Sequence, residues 1–187
     1  MLQNLGGKIE TVDTAPFVDL PNSWEEYLAS LNRHNRHELR RKIRKLEAEE
    51  AFRVCYEGEP ADIDEFFRLM ALSNEQKRDF LSAKMRQFFS NIFTTFWPKK
   101  MLQLCFLKLN GVNIAAVVVF LYKDEFLLYN SGFDPDYAYL SPGLLLKAFL
   151  IKKAIEEGKK RFDFLRGGER YKYELGGKER KLYRITF

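Results

Sequence analysis

The segment from Tyr129 to Lys172 constrains the fold most, because it joins a strand, a loop, one long helix and a second strand in a single run. Ser141-Pro142-Gly143 stands where the long helix begins. Proline is favoured at the first helical position, where its missing N–H is not needed, and serine is a common N-cap residue. Glycine lets a ligand come close to the backbone. Such a junction directs helix N-terminal amides at an anion, so we predict an anion-binding loop here.

The rest of the chain supplies the strands and helices that pack around this segment. Asn110-Gly111 joins two apolar strands and is a strong signal for a tight hairpin. A third strand follows at once, so that the three strands form an antiparallel meander. Periodicity predicts these elements in chain order: a strand over 51–57, helices beginning at Asp62 and over 82–97, strands over 102–109, 112–122 and 125–132, the long helix over 142–157, a strand over 161–165, a short helix over 169–175 and a last strand over 181–186.

The N-terminal part divides into an arm and the start of a domain. Residues 1–21 contain glycines and prolines without a sustained hydrophobic period, which is typical of a linker or an extended arm. Ser23-Trp24-Glu25-Glu26 is a capping box that opens a helical region. With 187 residues, 46% hydrophobic and 30% charged, the chain fits a single globular domain. We therefore predict an arm over 1–21 and one domain over 22–187.

A helix in the first third of the chain carries many basic residues on one side. Arg33, Arg36, Arg40 and Arg44 are spaced so that they share a helix face. One interpretation is a solvated surface on which these charges pair with nearby glutamates. The other is a phosphate-binding ridge for CoA, a nucleotide-linked sugar or RNA, which the net charge of +5 favours. The sequence leaves both interpretations open.

Composition narrows the class of protein further. No apolar run reaches the length of a membrane span, and the sequence predicts a cytoplasmic protein. Cys55 and Cys105 stand alone, and we expect both to be buried reduced thiols. His34 and His37 are at helical spacing without a third ligand, so no metal site is expected. The phenylalanine stripe of the helix over 82–97 is expected to belong to the core, with a share in a substrate groove as the alternative.

The order of these elements, together with three motifs, resembles the GNAT superfamily of acyl-CoA N-acyltransferases. The motifs are Ser141-Pro142-Gly143, the segment Phe162–Gly167 with Tyr171-Lys172, and the basic opening helix. More narrowly, the chain resembles the branch of CelD/BcsL-type polysaccharide-biosynthesis proteins and FemABX-type peptidoglycan aminoacyltransferases. The resemblance implies an α/β (α+β) fold, in which helices flank a mixed, largely antiparallel sheet and an N-terminal helical arm precedes it. It also implies that the chain corresponds to the C-terminal half of a tandem protein.

The resemblance implies a place for the acyl donor, which is acyl-CoA or acetyl-CoA, without a metal. In the family the fourth and fifth strands splay apart, and pantetheine fills the wedge between them. Carried over by position, the residues lining the wedge are Asn130, Ser131 and Gly132, and those at the phosphate end are Ser141, Pro142, Gly143 and Leu144. The loop departs from the family pattern because it has one glycine and no Arg or Lys before Lys147. This departure suits a different activated donor, such as aminoacyl-tRNA.

The residues after the long helix are candidates for the chemistry of such a transfer, because Asp163 stands between Phe162 and Phe164 in a predicted strand, an unusual place for a carboxylate. Asp163 is expected to act as general base or amine anchor, with a structural ion pair to Arg166 or Lys172 as the alternative. Tyr171 is expected to protonate the leaving group, with Tyr173 as the alternative. Arg166 and Lys172 are expected to bind anionic substrate groups. A backbone amide of the wedge strand is expected to stabilise the oxyanion.

The predicted function is N-acyl transfer from acyl-CoA to an amine, in cell-envelope polysaccharide or peptidoglycan biosynthesis. The expected acceptor is a small molecule or a cell-envelope precursor, and two copies of the chain are expected to pair if the missing first half has to be replaced. One alternative is FemABX-like aminoacyl transfer from aminoacyl-tRNA. The other is a non-catalytic module that binds nucleic acid or another anion through the basic helix.

Overall fold

The computed structural model describes residues 7–49 and 51–187. Its elements are, in chain order, β1 (Lys8–Thr14), β2 (Phe17–Asp19), α1 (Trp24–Ser30), α2 (Arg33–Glu47), β3 (Phe52–Cys55), α3 (Ile63–Ser73), α4 (Glu75–Phe80), α5 (Ala83–Phe96), β4 (Leu102–Leu109), β5 (Val112–Tyr122), β6 (Glu125–Phe133), α6 (Pro142–Glu156), β7 (Arg161–Asp163), α7 (Arg170–Glu174) and β8 (Lys181–Thr186). The predicted elements are all present at nearly the predicted bounds. The short helix α4 is an addition that the sequence does not predict.

The N-terminal arm is extended, as the sequence predicts, but it is paired in two places. β1 pairs antiparallel with β8 in a separate two-stranded sheet, and β2 pairs antiparallel with β7. Both faces of β1 are at least partly exposed, so its sequence carries no hydrophobic alternation that would reveal a strand. Residues 1–6 of the predicted arm lie outside the described residues. The domain boundary near residue 21 remains a prediction.

The main sheet has six strands in the order β2-β7-β6-β5-β4-β3. Antiparallel pairing links β3 to β6 through successive neighbours, whereas β6 and β7 run parallel and are joined by a crossover through α6. Asn110 and Gly111 both have positive φ between β4 and β5, which confirms the predicted tight hairpin. This is the mixed, largely antiparallel sheet flanked by helices that the sequence predicts.

Helices cover both faces of the sheet, so the central strand β5 is buried on both sides. Val117 belongs to an apolar cluster that includes α6, whereas the neighbouring Ala116 belongs to a second cluster with α3 and α5. The phenylalanine stripe of α5 contributes Phe89 and Phe93 to the second cluster, as expected for core residues. Cys105 is buried and Cys55 is half-buried, and both are free thiols.

The two N-terminal helices belong to the same folded body as the sheet. α1 buries Tyr27, whose hydroxyl donates to the carbonyl of Leu175 at 3.0 Å. α2 buries Leu39 and Leu46 in the cluster that includes α6. Within the ranges 7–49 and 51–187, no helix combines the length and the apolar character needed to cross a membrane.

Candidate active site

Strands β6 and β7 separate at the point where a wedge is expected. They pair only over Glu125–Leu127 and Arg161–Asp163, while β6 continues to Phe133. After β7 the chain turns away, with Leu165 and Gly167 both at positive φ. The second half of β6 therefore has a free edge on the side where β7 would otherwise continue.

Two adjoining cavities lie in this wedge, and we name them together the channel. The helix-side cavity, about 360 Å³, lies against the start of α6. The turn-side cavity, about 380 Å³, lies against the turn that follows β7. Both cavities are lined by Asn74, Lys77, Ser131 and Tyr171, which stand where the two meet. A ligand that lies along β6 can therefore extend from one cavity into the other.

Most of the predicted donor-binding residues line this channel. Ser131 borders both cavities, and Asn130 borders the turn-side cavity. The helix-side cavity is lined by the whole predicted phosphate end, which comprises Ser141, Pro142, Gly143 and Leu144. The structure thus brings together the predicted wedge and loop residues, except for Gly132.

Gly132 is packed against α3 instead of facing the channel. A Cβ atom at this position would collide with the backbone N of Met70. The backbones of β6 and α3 approach so closely that only glycine fits between them. This placement corrects the prediction that Gly132 lines the wedge, and its role is helix–strand packing.

Side chains bond the free edge of β6 where a neighbouring strand would otherwise do so. The N–H of Phe133 donates to Oγ of Ser73 at 2.8 Å, and the Lys77 amine donates to the carbonyl of Ser131. The N–H of Ser131 donates to Oδ1 of Asn130 at 2.8 Å, so this amide of the wedge strand is already used. Buried or edge backbone groups need such partners. An extended ligand that pairs with β6 has to displace the Lys77 amine from Ser131.

The start of α6 has the predicted proline but not the predicted cap. Pro142 occupies the first turn, and Ser141 precedes it with φ of 55°. The Ser141 side chain makes no cap hydrogen bond, whereas its carbonyl accepts the N–H groups of Leu144 and Leu145 at 3.1 and 3.0 Å. A capping side chain acts from an extended backbone conformation, which the left-handed Ser141 does not have.

Lys147 reaches the helix-side cavity from the second turn of α6, and the sequence predicts no role for it. Lys147 is 6% exposed, its Nζ donates to the carbonyl of Gly143 at 2.9 Å, and it lies 4.7 Å from the ring centre of Tyr171. Burial, and then the nearby charge of Lys77, lower the pKa of Lys147 to about 7. The sequence signal for this residue is one charge within the otherwise apolar run 144–151.

Asp163 is held in an ion pair and lines neither cavity. Its Oδ2 lies 2.6 Å from Nη2 of Arg180, and its Oδ1 accepts the N–H of Leu165 at 2.8 Å. Both carboxylate oxygens are therefore engaged in holding the end of β7. This arrangement favours the alternative of a structural ion pair for Asp163, with Arg180 as its partner in place of the expected Arg166 and Lys172.

Lys172 and Arg166 border the turn-side cavity, but both already have partners. The buried Lys172 amine donates to three consecutive carbonyls, those of residues 165–167, at 2.9 to 3.2 Å, and it lies 2.8 Å from Oε2 of Glu169. Arg166 pairs with Asp13, and this contact lowers the pKa of the Asp13 carboxyl. Lys172 thus fixes the turn after β7, and an anion would have to compete for either side chain.

Tyr171 stands where the two cavities meet, as suits its predicted role. Its ring packs edge-on against Phe164, with 6.2 Å between ring centres. Burial, and then the charge of Glu169, raise the pKa of Tyr171 above its ordinary value. The phenol therefore stays protonated near neutral pH, which a proton donor requires. Tyr173, the alternative, is 37% exposed and borders neither cavity.

A larger groove, about 940 Å³, lies between α1 and α2, and we name it the arginine groove. Trp24 lines this groove, and Nη2 of Arg40 lies 3.2 Å from Oε2 of Glu25. The basic residues that line it are the ones predicted to share a face, Arg33, Arg36, Arg40 and Arg44. Among the residues that the structure describes, no three histidine, cysteine or acidic side chains are grouped as metal ligands.

Comparisons with known proteins agree with this fold. A family model described as "Acetyltransferase (GNAT) domain" matches residues 33–173. No curated protein matches the chain. Among solved structures, FemX superposes with a TM-score of 0.74 at 13% identity, over 95% of this chain and 64% of that one. L-PGS from Bacillus licheniformis superposes with a TM-score of 0.65 at 13% identity, over 97% of this chain and 62% of that one. A GCN5-related N-acetyltransferase from Kribbella flavida superposes with a TM-score of 0.54 at 11% identity, over 98% of this chain and 60% of that one. The chain thus spans less than two thirds of each of these three.

Proposed function

The chain belongs to the GNAT acetyltransferase-domain family, and from this premise we propose that it transfers an acyl group from acyl-CoA to an amine. The observation that carries the proposal is the channel, because it follows the free edge of β6 and ends at the start of α6. An extended pantetheine arm can pair with such an edge through its amides. The acceptor that we propose is a small amine or a cell-envelope precursor, in polysaccharide or peptidoglycan biosynthesis.

The transfer forms a C–N bond between the acyl carbon and the acceptor nitrogen, and it breaks the C–S bond of the thioester. The departing CoA thiolate takes a proton, which we assign to the hydroxyl of Tyr171 at the centre of the channel. The acceptor amine has to lose a proton. Because Asp163 is engaged by Arg180, we assign both the binding of the amine and the acceptance of this proton to the carboxylate of Glu169, which borders the turn-side cavity and, being 56% exposed, can release the proton to water.

Release of the CoA thiol tests this proposal, with acetyl-CoA or longer acyl-CoAs and a panel of amines. Tyr171→Phe should lower turnover by roughly 100-fold, the usual scale for a lost proton donor, with little change in donor affinity. Tyr173→Phe is the matched control on the same helix and should leave turnover unchanged. Equal turnover by wild type and Tyr171→Phe would remove the assignment of Tyr171. If no acyl-CoA raises the melting temperature at high excess, the CoA donor itself is excluded.

The arginine groove favours a second candidate, which is aminoacyl transfer from aminoacyl-tRNA in the manner of FemABX-type enzymes. Four arginines face one groove beside a partly buried Trp24, a combination that suits phosphates and bases. Arg33→Ala with Arg44→Ala should weaken tRNA binding and reduce its salt dependence by about one unit of slope per lost phosphate contact. Arg53→Ala, at an exposed position on β3, is the control. RNA binding without any transfer would indicate a non-catalytic module.

Pairing of two copies is a further part of the proposal, because the chain covers less than two thirds of the FemX structure that it resembles. Sedimentation equilibrium of the full chain distinguishes a dimer from a monomer, and a monomer with full turnover would refute the need for pairing.

A further inference from the structure

Lys77 stands at the centre of the channel, where the two cavities meet. Its side chain comes from α4, is partly buried and lines both cavities together with Tyr171. Its amine donates to the carbonyl of Ser131 on the free edge of β6. Of the described residues that border both cavities, Lys77 alone carries a charge. A cation thus lies beside the part of the channel in which the proposed transfer takes place.

The surroundings of the Lys77 amine leave its charge largely uncompensated. Burial lowers the pKa of Lys77 below its ordinary value. Glu169 offsets this only from a distance, because the Glu169 carboxylate lies 2.8 Å from the amine of Lys172. In such a partly dry place an ammonium stabilises negative charge on a neighbouring atom more strongly than it would in water.

Two backbone amides of the free edge of β6, which could otherwise stabilise an oxyanion, already have partners. The N–H of Ser131 donates to Oδ1 of Asn130 at 2.8 Å. The N–H of Phe133 donates to Oγ of Ser73 at 2.8 Å. The amine of Lys77 keeps unused N–H groups, because an ammonium has three and one of them is bonded to Ser131. Lys77 is therefore a donor that remains available where the sequence predicts a backbone amide.

Binding of an extended donor would release the Lys77 amine from its protein partner. A pantetheine amide that pairs with β6 donates to a carbonyl of the free edge, and Lys77 occupies the carbonyl of Ser131. Once displaced, the amine stays in the channel, because its side chain is anchored on α4. The amine can then donate to an oxygen of the bound molecule in place of Ser131.

We propose that Lys77 is a further catalytic residue, whose ammonium donates a hydrogen bond to the acyl oxygen of the bound donor. When the acceptor nitrogen attacks the acyl carbon, the electron pair of the C=O bond moves onto this oxygen, where Lys77 stabilises it. The pair returns as the C–S bond breaks, and the leaving thiolate takes its proton from Tyr171, so that Lys77 keeps its own. A charged donor binds the oxyanion more strongly than the neutral carbonyl, which lowers the barrier. This inference rests on the proposed function and adds a residue to it.

Calorimetric titration of the full chain compares acetyl-CoA with S-ethyl-CoA, a thioether that lacks the acyl oxygen. The wild type should bind acetyl-CoA about tenfold more tightly, the scale of one charge-assisted hydrogen bond. Lys77→Met should bind the two ligands equally, because methionine fills similar space and donates no hydrogen bond. Arg78→Met is the matched control and should keep the preference, since Arg78 lies on α4 with its side chain 60% exposed. A wild type that does not prefer acetyl-CoA would overturn the proposal.

Infrared spectra of bound acetyl-CoA with an isotope-labelled carbonyl give a second readout. A hydrogen bond from an ammonium weakens the C=O bond, so the carbonyl stretch should lie at lower frequency in the wild type than in Lys77→Met. Tyr171→Phe should show the wild-type frequency and keep the preference for acetyl-CoA, because the Tyr171 hydroxyl acts on the sulfur. The same frequency in the wild type and in Lys77→Met would contradict the contact.

Turnover separates the role of Lys77 from the proposed function. Lys77→Met should lower kcat by roughly 100-fold or more, the usual scale for a lost oxyanion donor, with little change in the KM of the acceptor amine. Lys77→Arg keeps a charged donor and should recover part of the loss. Transfer by Lys77→Met at the wild-type rate would overturn the role of Lys77 and leave the proposed function in place. An acetyl-CoA preference that depends on Lys77, without transfer to any amine, would support the contact of Lys77 with the acyl oxygen and remove the proposed function.

Discussion

Replacing Lys147 by methionine should make the protein more stable at neutral pH. Lys147 is 6% exposed, and its pKa falls from 10.5 to about 7 on folding. A shift of roughly 3.5 pKa units corresponds to about 5 kcal/mol at 1.36 kcal/mol per unit. Methionine fills similar space without a charge, and it gives up the hydrogen bond to Gly143, which is worth about 1 kcal/mol. We therefore expect Lys147→Met to raise the free energy of unfolding at pH 7 by roughly 4 kcal/mol.

The direction in which stability changes with pH distinguishes the cost of burying the charged Lys147 amine from a general packing effect. Between about pH 7 and pH 10 the unfolded chain holds a proton on Lys147 that the native protein does not. Stability of the wild type should therefore rise with pH in this window, by up to about 1.4 kcal/mol per unit. Below the folded pKa the penalty stays constant. The advantage of Lys147→Met should accordingly shrink by roughly 2 kcal/mol between about pH 7 and pH 9.

Urea unfolding followed by circular dichroism at several pH values measures both quantities. Lys152→Met, on the same helix, should change stability by no more than about 0.5 kcal/mol at any pH. If Lys147→Met is less stable than wild type, or if the two proteins show the same pH slope, Lys147 is not a buried amine with a lowered pKa. Either result would refute the reasoning.

Three further predictions concern residues that hold the site in place. Asp163→Asn should lower the free energy of unfolding by roughly 3 kcal/mol, because it leaves Arg180 without its partner. Turnover per folded molecule should stay near that of the wild type, and a loss of turnover in the folded variant would indicate a catalytic role for Asp163. Gly132→Ala should lower the free energy of unfolding by roughly 2 kcal/mol or more, since its Cβ would collide with the backbone of Met70. A melting temperature close to that of the wild type would refute the close approach of β6 and α3. Lys172→Met should free the turn after β7, which limited proteolysis would detect as faster cleavage there, and unchanged cleavage would contradict the role of its three carbonyl bonds.

Much of the fold could be predicted from the sequence because its signals are local. Asn110-Gly111 fixes the hairpin, and Pro142 and Gly158 mark the ends of the long helix. The strands β1 and β2 could not be predicted, because their pairing with β8 and β7 is long-range, both faces of β1 are at least partly exposed, and β2 has only three residues. A short strand without alternation looks like an extended arm until its partner is known.

The site was less predictable, because which residues share a cavity depends on tertiary packing. The position of Asp163 within an apolar strand drew attention to a carboxylate, but only the structure shows that Arg180, seventeen positions further on, is its partner. Gly132 follows two wedge residues in sequence, yet α3 packs against the backbone of β6 at this point, and only the tertiary structure shows this contact. Lys77 lies on the unpredicted helix α4, and nothing in its local sequence points to the carbonyl of Ser131.

Hydrogen–deuterium exchange of the full chain with and without acetyl-CoA tests the central claim most directly, because it locates the donor on the molecule. We expect increased protection along Asn130–Phe133 and over Ser141–Leu145, the two walls of the channel, with little change in α1 and α2. Protection confined to the arginine groove between α1 and α2, or no protection at saturating acetyl-CoA, would contradict it.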